Sequence, residues 1–346
     1  MNHALAFALL AACTTSPDHS QPPPCGTPSP SDQLAQNQNQ IISLALSGGE
    51  VYWLDLGGLG KVSTDGTGAT ELVQPQSGAA FALAGTIVVR GDTVYWADGN
   101  FPQGSIASVP AAGGATTTIA TATEPLGVAV DATNIYWSTF GSSDHPVGTV
   151  VKQRLAGGDA VVLASGLSTV GPIAVDEANV YWSDDFGAVA SVPIAGGAVH
   201  QLAPAQYTLP PATILDGAPA AIAVSDGRVY WTSTPLDGTS PSTIRSVDIG
   251  GGTATTIATL ATRPLGLAVD DTFVYWSEVG PITPDGGLGV PPTVNQGTIS
   301  RVANDGSDAV QIVSNGATYP VGPVVEDNAL YYSTGSAATT LYRVVM

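Results

Sequence analysis

One aromatic tripeptide recurs seven times, all six tryptophans are confined to it, and long-side-chain helix formers are scarce. Together these predict an all-β chain: a seven-bladed β-propeller of four-stranded antiparallel blades, the last blade closed by an N-terminal strand. Val-Tyr-Trp stands at Val51-Tyr52-Trp53, Val94-Tyr95-Trp96, Val180-Tyr181-Trp182, Val229-Tyr230-Trp231 and Val274-Tyr275-Trp276, with variants at Ile135-Tyr136-Trp137 and Leu330-Tyr331-Tyr332. The central tyrosines lie 43, 41, 45, 49, 45 and 56 residues apart, the length of one blade each. Of 346 residues, 41 are Gly, 26 are Pro and only 11% are charged, so strands and turns dominate.

The first element is a sorting segment, residues 1–13. A short head leads into nine apolar residues, Ala4 to Ala12, ending Leu10-Ala11-Ala12-Cys13. An apolar core of this length before small residues is a secretory signal, and it is far too short to span a bilayer. The Leu-Ala-Ala-Cys order resembles a bacterial lipobox, which implies that Cys13 is acylated and becomes the new N-terminus. Met1-Asn2-His3 lacks the Lys or Arg of such signals, so either the start lies upstream or the signal is weak. Residues 14–31 contain six prolines and almost no aliphatic side chains, which makes them an extended tether. Cys25 sits in that tether; a Cys13–Cys25 bridge is the alternative where Cys13 is not acylated.

The propeller occupies residues 32–346. Before each tripeptide stands an apolar strand ending in an acidic turn, as in Gly127-Val128-Ala129-Val130-Asp131 and Gly266-Leu267-Ala268-Val269-Asp270. After it comes a Gly-x-Ile/Val strand running into a glycine turn, as in Gly104-Ser105-Ile106 and Gly297-Thr298-Ile299, then a short fourth strand. Neighbouring residues of a strand point to opposite faces, so Val and Trp face one adjacent blade and Tyr the other, and both faces are apolar because both are packed. Identical mid-strand placement makes the tryptophans core residues, not a sugar-binding ring. The last unit has three strands: Pro323 to Val325, Leu330 to Ser333 and Thr340 to Val345. Its fourth is predicted at Asp32-Gln33-Leu34-Ala35, which resembles the fourth strand His200-Gln201-Leu202-Ala203, with Gln33 to Ala35 pairing Leu341 to Val345. This closes the ring and removes an open sheet edge.

On the runs Tyr52-Trp53-Leu54-Asp55, Tyr95-Trp96-Ala97-Asp98 and Tyr181-Trp182-Ser183-Asp184, degenerating to Trp137-Ser138-Thr139, Trp231-Thr232-Ser233 and Trp276-Ser277-Glu278, residues 33–346 resemble the YWTD propellers of lipoprotein-receptor ectodomains and bacterial secreted propellers. In that family the motif residues are structural. Those receptors have six blades against seven here, so their ligand surfaces do not carry over. Streptogramin lyases and calcium lactonases share the architecture, but neither active-site pattern matches residue by residue.

Alternation of strands puts the first-to-second and third-to-fourth turns on one face and the other connections on the opposite face. The first group is uniformly short; the long connections, Gly141 to Val147, Ala205 to Ala218 and Val279 to Gln296, all belong to the second. Binding residues concentrate in such loops on a rigid scaffold, so that face is the expected site. Two related mouth segments, Thr123-Glu124-Pro125-Leu126-Gly127 and Thr262-Arg263-Pro264-Leu265-Gly266, place Glu124 and Arg263 nearly across the channel. Arg263 is the only cation expected at the mouth, and Tyr319, before Pro320, adds a hydroxyl or ring. His145 and Asp285 stand in the loops of that face, the latter in Asp285-Gly286-Gly287, which reads as a turn and not a phosphate cradle. The recurrent turn acids Asp92, Asp131, Asp176, Asp226, Asp270 and Asp327 bond their own backbone amides; spread around a ring, they do not converge on a calcium ion.

Nine Lys and Arg against 28 Asp and Glu give a net charge of −19, which excludes nucleic acid as partner. Two cysteines near the N-terminus exclude a disulfide scaffold and a Cys-based zinc site. The expected function is a monomeric, lipid-anchored binding or interaction module of the bacterial cell envelope, taking a small molecule or protein at the long-loop face, with no catalytic set, cofactor or metal. The alternative is a hydrolase or lyase at the channel mouth, with or without calcium.

Overall fold

The computed structural model describes residues 33–56, 58–74, 85–99, 103–140, 147–167, 170–184, 187–205, 221–235, 241–279, 297–317, 319–335 and 339–346. Among the described residues there are 28 strands and no helix. Strand β1 (Gln33–Gln38) comes first. Blade one is β2 (Ile41–Ser47), β3 (Glu50–Asp55), β4 (Gly58–Ser63) and β5 (Thr70–Val73). Blade two is β6 (Ile87–Arg90), β7 (Thr93–Asp98), β8 (Gly104–Pro110) and β9 (Thr117–Ala122). Blade three is β10 (Pro125–Val130), β11 (Asn134–Thr139), β12 (Gly148–Arg154) and β13 (Val161–Leu167). Blade four is β14 (Ile173–Val175), β15 (Asn179–Ser183), β16 (Val189–Pro193) and β17 (His200–Ala203). Blade five is β18 (Ile222–Ser225), β19 (Arg228–Ser233), β20 (Thr243–Asp248) and β21 (Thr255–Thr259). Blade six is β22 (Pro264–Val269), β23 (Phe273–Glu278), β24 (Gly297–Ala303) and β25 (Val310–Ala317). Blade seven is β26 (Val321–Glu326), β27 (Ala329–Thr334) and β28 (Thr339–Val345), completed on its outer edge by β1.

Each blade is an antiparallel four-stranded sheet, and the innermost strands contact one another in a closed ring of seven. The core lies between blades. Tyr181 of blade four packs with Val229 and Trp231 of blade five, and Tyr275 of blade six packs with Leu330 and Tyr332 of blade seven. The Tyr side of one blade thus meets the Val/Trp side of the next, as the alternation demands. All six tryptophans are buried.

Closure follows the predicted strand and pairing. β1 pairs Gln33 with Tyr342 and Ala35 with Leu341, at the near end of the expected stretch, and runs on past it to pair Gln38 with Thr339. This pairing buries Leu34 and Ala35 with Leu341 against Trp53 of blade one, while Arg343, past the ladder, donates from Nη1 to Thr64 O at 3.5 Å. As a fourth strand, β1 begins on the short-turn face, where β28 ends.

That face is held by its own side chains. Asp131 Oδ1 accepts from the amides of Thr133 and Asn134 at 2.6 and 2.7 Å, and its Oδ2 accepts from Tyr136 Oη at 2.5 Å. Asp176 with Tyr181 and Asp270 with Tyr275 repeat the latch, at 2.6 and 2.8 Å to the phenol. In blades three, four and six the hydroxyl of the repeated Tyr therefore ties the second strand to the turn that precedes it, whereas the expected amide bonds of Asp92, Asp226 and Asp327 are not made among the described residues. Burial, reinforced by the adjacent carboxylate, pushes these phenols well above their ordinary range. Burial alone would raise Asp131, but the donors from Tyr136, Thr133 and Asn134 outweigh it and hold the carboxyl down to about 2.

Candidate functional site

The channel mouth on the opposite face is built from the residue before each inner strand. Phe140 N donates to Glu124 O at 3.0 Å, Val279 N to Arg263 O at 3.0 Å and Leu56 N to Gln40 O at 3.1 Å. These bonds put Gln40, Glu124 and Arg263 in one register position of blades one, three and six. Tyr319 joins them in blade seven, preceding Pro320 as Glu124 precedes Pro125 and Arg263 precedes Pro264. All four are half-buried, and Glu124 and Tyr319 adopt left-handed backbone, φ 45° and 50°, which few non-glycine residues do. Glu124 and Arg263 stand three blades apart in the ring of seven.

The strands behind these residues are held at close quarters. A Cβ on Gly266 would collide with the Gly322 carbonyl of blade seven, and one on Gly127 with the Pro172–Ile173 backbone of blade four. Only glycine lets adjacent inner strands approach so nearly. Hydroxyls stitch the same ring: Ile87 N donates to Ser43 Oγ at 3.2 Å, Val128 N to Thr86 Oγ1 at 2.7 Å, Ser138 Oγ to Gly171 O at 2.8 Å and Ser277 Oγ to Gly322 O at 2.7 Å. Residues displayed at the mouth therefore rest on a rigid base.

All nine cations are among the described residues. Lys61, Lys152, Arg301 and Arg343 stand opposite the repeated tyrosine on third strands. Lys152 Nζ reaches Ile194 O of blade four at 2.6 Å, and Lys61 pairs with Glu50 at 2.7 Å. Arg245 lies mid-strand, while Arg90, Arg154 and Arg228 flank short turns. Arg263 is thus the one cation of the chain at the mouth.

Its approach is fixed by a residue that sequence reasoning passed over as a degenerate motif position. Glu278, 7% exposed, accepts at Oε2 from Thr262 N and Oγ1, at 3.0 and 3.1 Å, and at Oε1 from Trp276 Nε1 at 2.8 Å. The carboxylate thereby clamps the residue before Arg263 to the second strand of its blade. Glutamate where blades one, two and four carry aspartate was the only sequence signal for this. Asp184 uses its position otherwise, accepting from Ala188 N at 2.9 Å.

Of the other expected site residues, His145, Asp285 and Cys13 lie outside the described residues. So do most of the long connections of the mouth face. Among the described residues no group of three or more His, Cys, Asp or Glu is arranged to hold a metal ion.

No protein-family model and no curated protein matches the chain. Solved structures do. Virginiamycin B lyase from Staphylococcus aureus, in a structure with quinupristin, aligns over 90% of this chain and 98% of its own, with a TM-score of 0.63 at 13% identity. The WD40 β-propeller domain of Doa1 aligns over 90% and 96%, with a TM-score of 0.63 at 10% identity. The computationally designed Ika8 protein aligns over 92% and 100%, with a TM-score of 0.56 at 14% identity. The likeness shows the fold. The chain is a seven-bladed β-propeller. A lyase and a WD40 domain on one scaffold leave function to the site.

Proposed function

We propose that the chain is a YWTD-type propeller acting as a binding module, anchored through acylated Cys13 outside the cytoplasm of a bacterium and taking an anionic ligand group at its channel mouth. The observation that carries this reading is Arg263. In a chain of net charge −19 it is the single cation at the mouth, on a segment clamped by Glu278. Glu124 and Tyr319, in the same register position, would contact the remainder of the ligand. The tether supports the orientation: β1 starts on the short-turn face, so an anchor ahead of it holds that face toward the membrane and leaves the mouth facing away.

Two measurements test it. Cys13→Ala should move the protein from the membrane fraction to the soluble one; an unmodified Cys13 found by mass spectrometry overturns the anchor. For the mouth, a thermal-shift screen of small carboxylates and sugar phosphates is run on wild type, Arg263→Ala and Arg228→Ala. A charge-assisted contact is worth about 1.5–3 kcal/mol, so affinity should fall roughly ten- to a hundredfold in Arg263→Ala and stay level in Arg228→Ala. Equal losses from both place the ligand elsewhere.

A further inference from the structure

We infer that Met346 is an oxidative modification site: its sulfur takes an oxygen atom from a peroxide, and that oxygen becomes the hydrogen-bond acceptor of Arg301 in the adjacent blade. The inference depends on neither the mouth nor the anchor. It starts from a contact that three blade junctions share. Lys152, Arg301 and Arg343 occupy the same place on the third strands of blades three, six and seven, each opposite the repeated tyrosine. Each reaches the residue just past β16, β28 or β4 of the next blade: Ile194, Met346 and Thr64 respectively. The three targets are held alike, their amides donating to Ala178 O, Asn328 O and Gly49 O at 2.9, 2.8 and 2.9 Å.

The acceptor is what differs. Lys152 Nζ donates to Ile194 O at 2.6 Å and Arg343 Nη1 to Thr64 O at 3.5 Å. Arg301 Nη1 instead meets Met346 Sδ, at 3.8 Å. A thioether is a weak acceptor, so this cation has sulfur where its counterparts have a carbonyl oxygen. The guanidinium is otherwise well placed, 4.1 Å from the centroid of the Phe273 ring. Within its own blade it faces the hydroxyl of Tyr275, whose proton already goes to Asp270. The one ion pair among the described residues is Lys61 with Glu50, so no carboxylate holds Arg301.

Met346 carries the only sulfur among the described residues, half-buried against Tyr275, Leu330 and Tyr332. Partial exposure admits a small oxidant, and packing keeps the sulfur in front of Arg301. A sulfur lone pair attacks one oxygen of a hydroperoxide. An S–O bond forms, the O–O bond breaks, and the second oxygen leaves as water or an alcohol. Sulfur gives up an electron pair and the peroxide is reduced by it. The sulfoxide oxygen is a full acceptor for a charged N–H donor, which supplies at this junction what carbonyls supply at the other two. Methionine oxidation ordinarily disrupts the packing around it. Here the fold already holds the donor that the product needs.

The test uses the full chain and hydrogen peroxide as probe, on wild type, Met346→Leu and Arg301→Leu. Mass spectrometry of the peptide holding Met346 counts the added oxygen, and thermal unfolding is read before and after treatment. One oxygen on Met346 should raise the wild-type melting temperature by roughly 1–3 °C. Peroxide should leave Met346→Leu unchanged, which separates this residue from Met1. In Arg301→Leu the same oxidation should lower the melting temperature, because the new oxygen then has no charged donor. Should Arg301→Leu fail to fold, the sign of the wild-type shift decides alone. A wild-type melting temperature that stays level or falls once Met346 is oxidised overturns the inference. So does a rise of equal size in Arg301→Leu.

Discussion

The two rims of the propeller are built on different plans. On the short-turn rim the acids of blades three, four and six are committed to their own turns, as Asp131 is to Thr133, Asn134 and Tyr136. On the mouth rim the carboxylate of Glu124 has no hydrogen-bond partner among the described residues, and Arg263 is displayed on a segment that another residue holds. The mouth rim also spends acids on the fold, Glu278 on Thr262 and Trp276 and Asp184 on Ala188, so Glu124 is the exception there and not the rule. The contrast teaches that residue type alone does not mark a site: the acids are more numerous on the rim where they are structural.

The largest effect should come from the element that joins the short-turn rim to ring closure. Deleting residues 33–38 removes the buried Leu34 and Ala35 and a ladder of backbone hydrogen bonds, and bares β28 as an edge. Loss of at least about 3 kcal/mol is expected from the leucine and its ladder. Thermal unfolding should show a clearly lower midpoint with aggregation. An unchanged midpoint would mean that the seventh blade is stable with three strands.

A smaller effect compares the rims directly. Asp131→Ala strands two amides and a phenol and should cost roughly 1–3 kcal/mol, while Glu124→Gln should stay within about 0.5 kcal/mol, both read by chemical denaturation. The same pair gives a pH signature. Asp131 is depressed in the folded protein from an ordinary 3.8 to about 2. Its contribution is therefore full above the unfolded value and is lost as pH falls through the folded one. The stability gap between wild type and Asp131→Ala should narrow from about pH 4 downward. A gap that persists at pH 2 would remove the carboxylate from the explanation.

Least should follow from Lys61→Met, which breaks the pair with Glu50 at 2.7 Å. Partly exposed pairs contribute roughly 0–1 kcal/mol, so denaturation midpoints should scarcely move. A larger loss would show that the cations opposite the repeated tyrosines matter for more than local charge.

Much of the fold was legible because a propeller repeats its constraints. Val51-Tyr52-Trp53 and its six counterparts fixed strand, face and blade number, and the likeness of Gln33-Leu34-Ala35 to Gln201-Leu202-Ala203 located the closing strand. Its run on to Gln38, opposite Thr339, was not legible, since how far the strand continues past the fit of Leu34 and Ala35 against Leu341 and Trp53 is a matter of shape. The Asp–Tyr latch was half visible: the turn acids were expected to bond amides, but the phenol five residues on is brought back only by the hairpin. The site read worst. Arg263 emerged from counting cations, whereas Glu278 looked like a decayed repeat.

The closing ladder also orders events in time. It joins Gln33 to Tyr342, nearly the full length of the chain apart, so the first strand of the propeller to be synthesised is the last to find its place. Blades one to six can assemble from neighbouring segments as they arrive, but β1 must wait for β28, and so long a loop closes slowly. Until then the nascent molecule is an open arc with an unpaired strand at each end. A chain cut short anywhere before β28 cannot leave that state, and its β1 stays available to pair with another molecule.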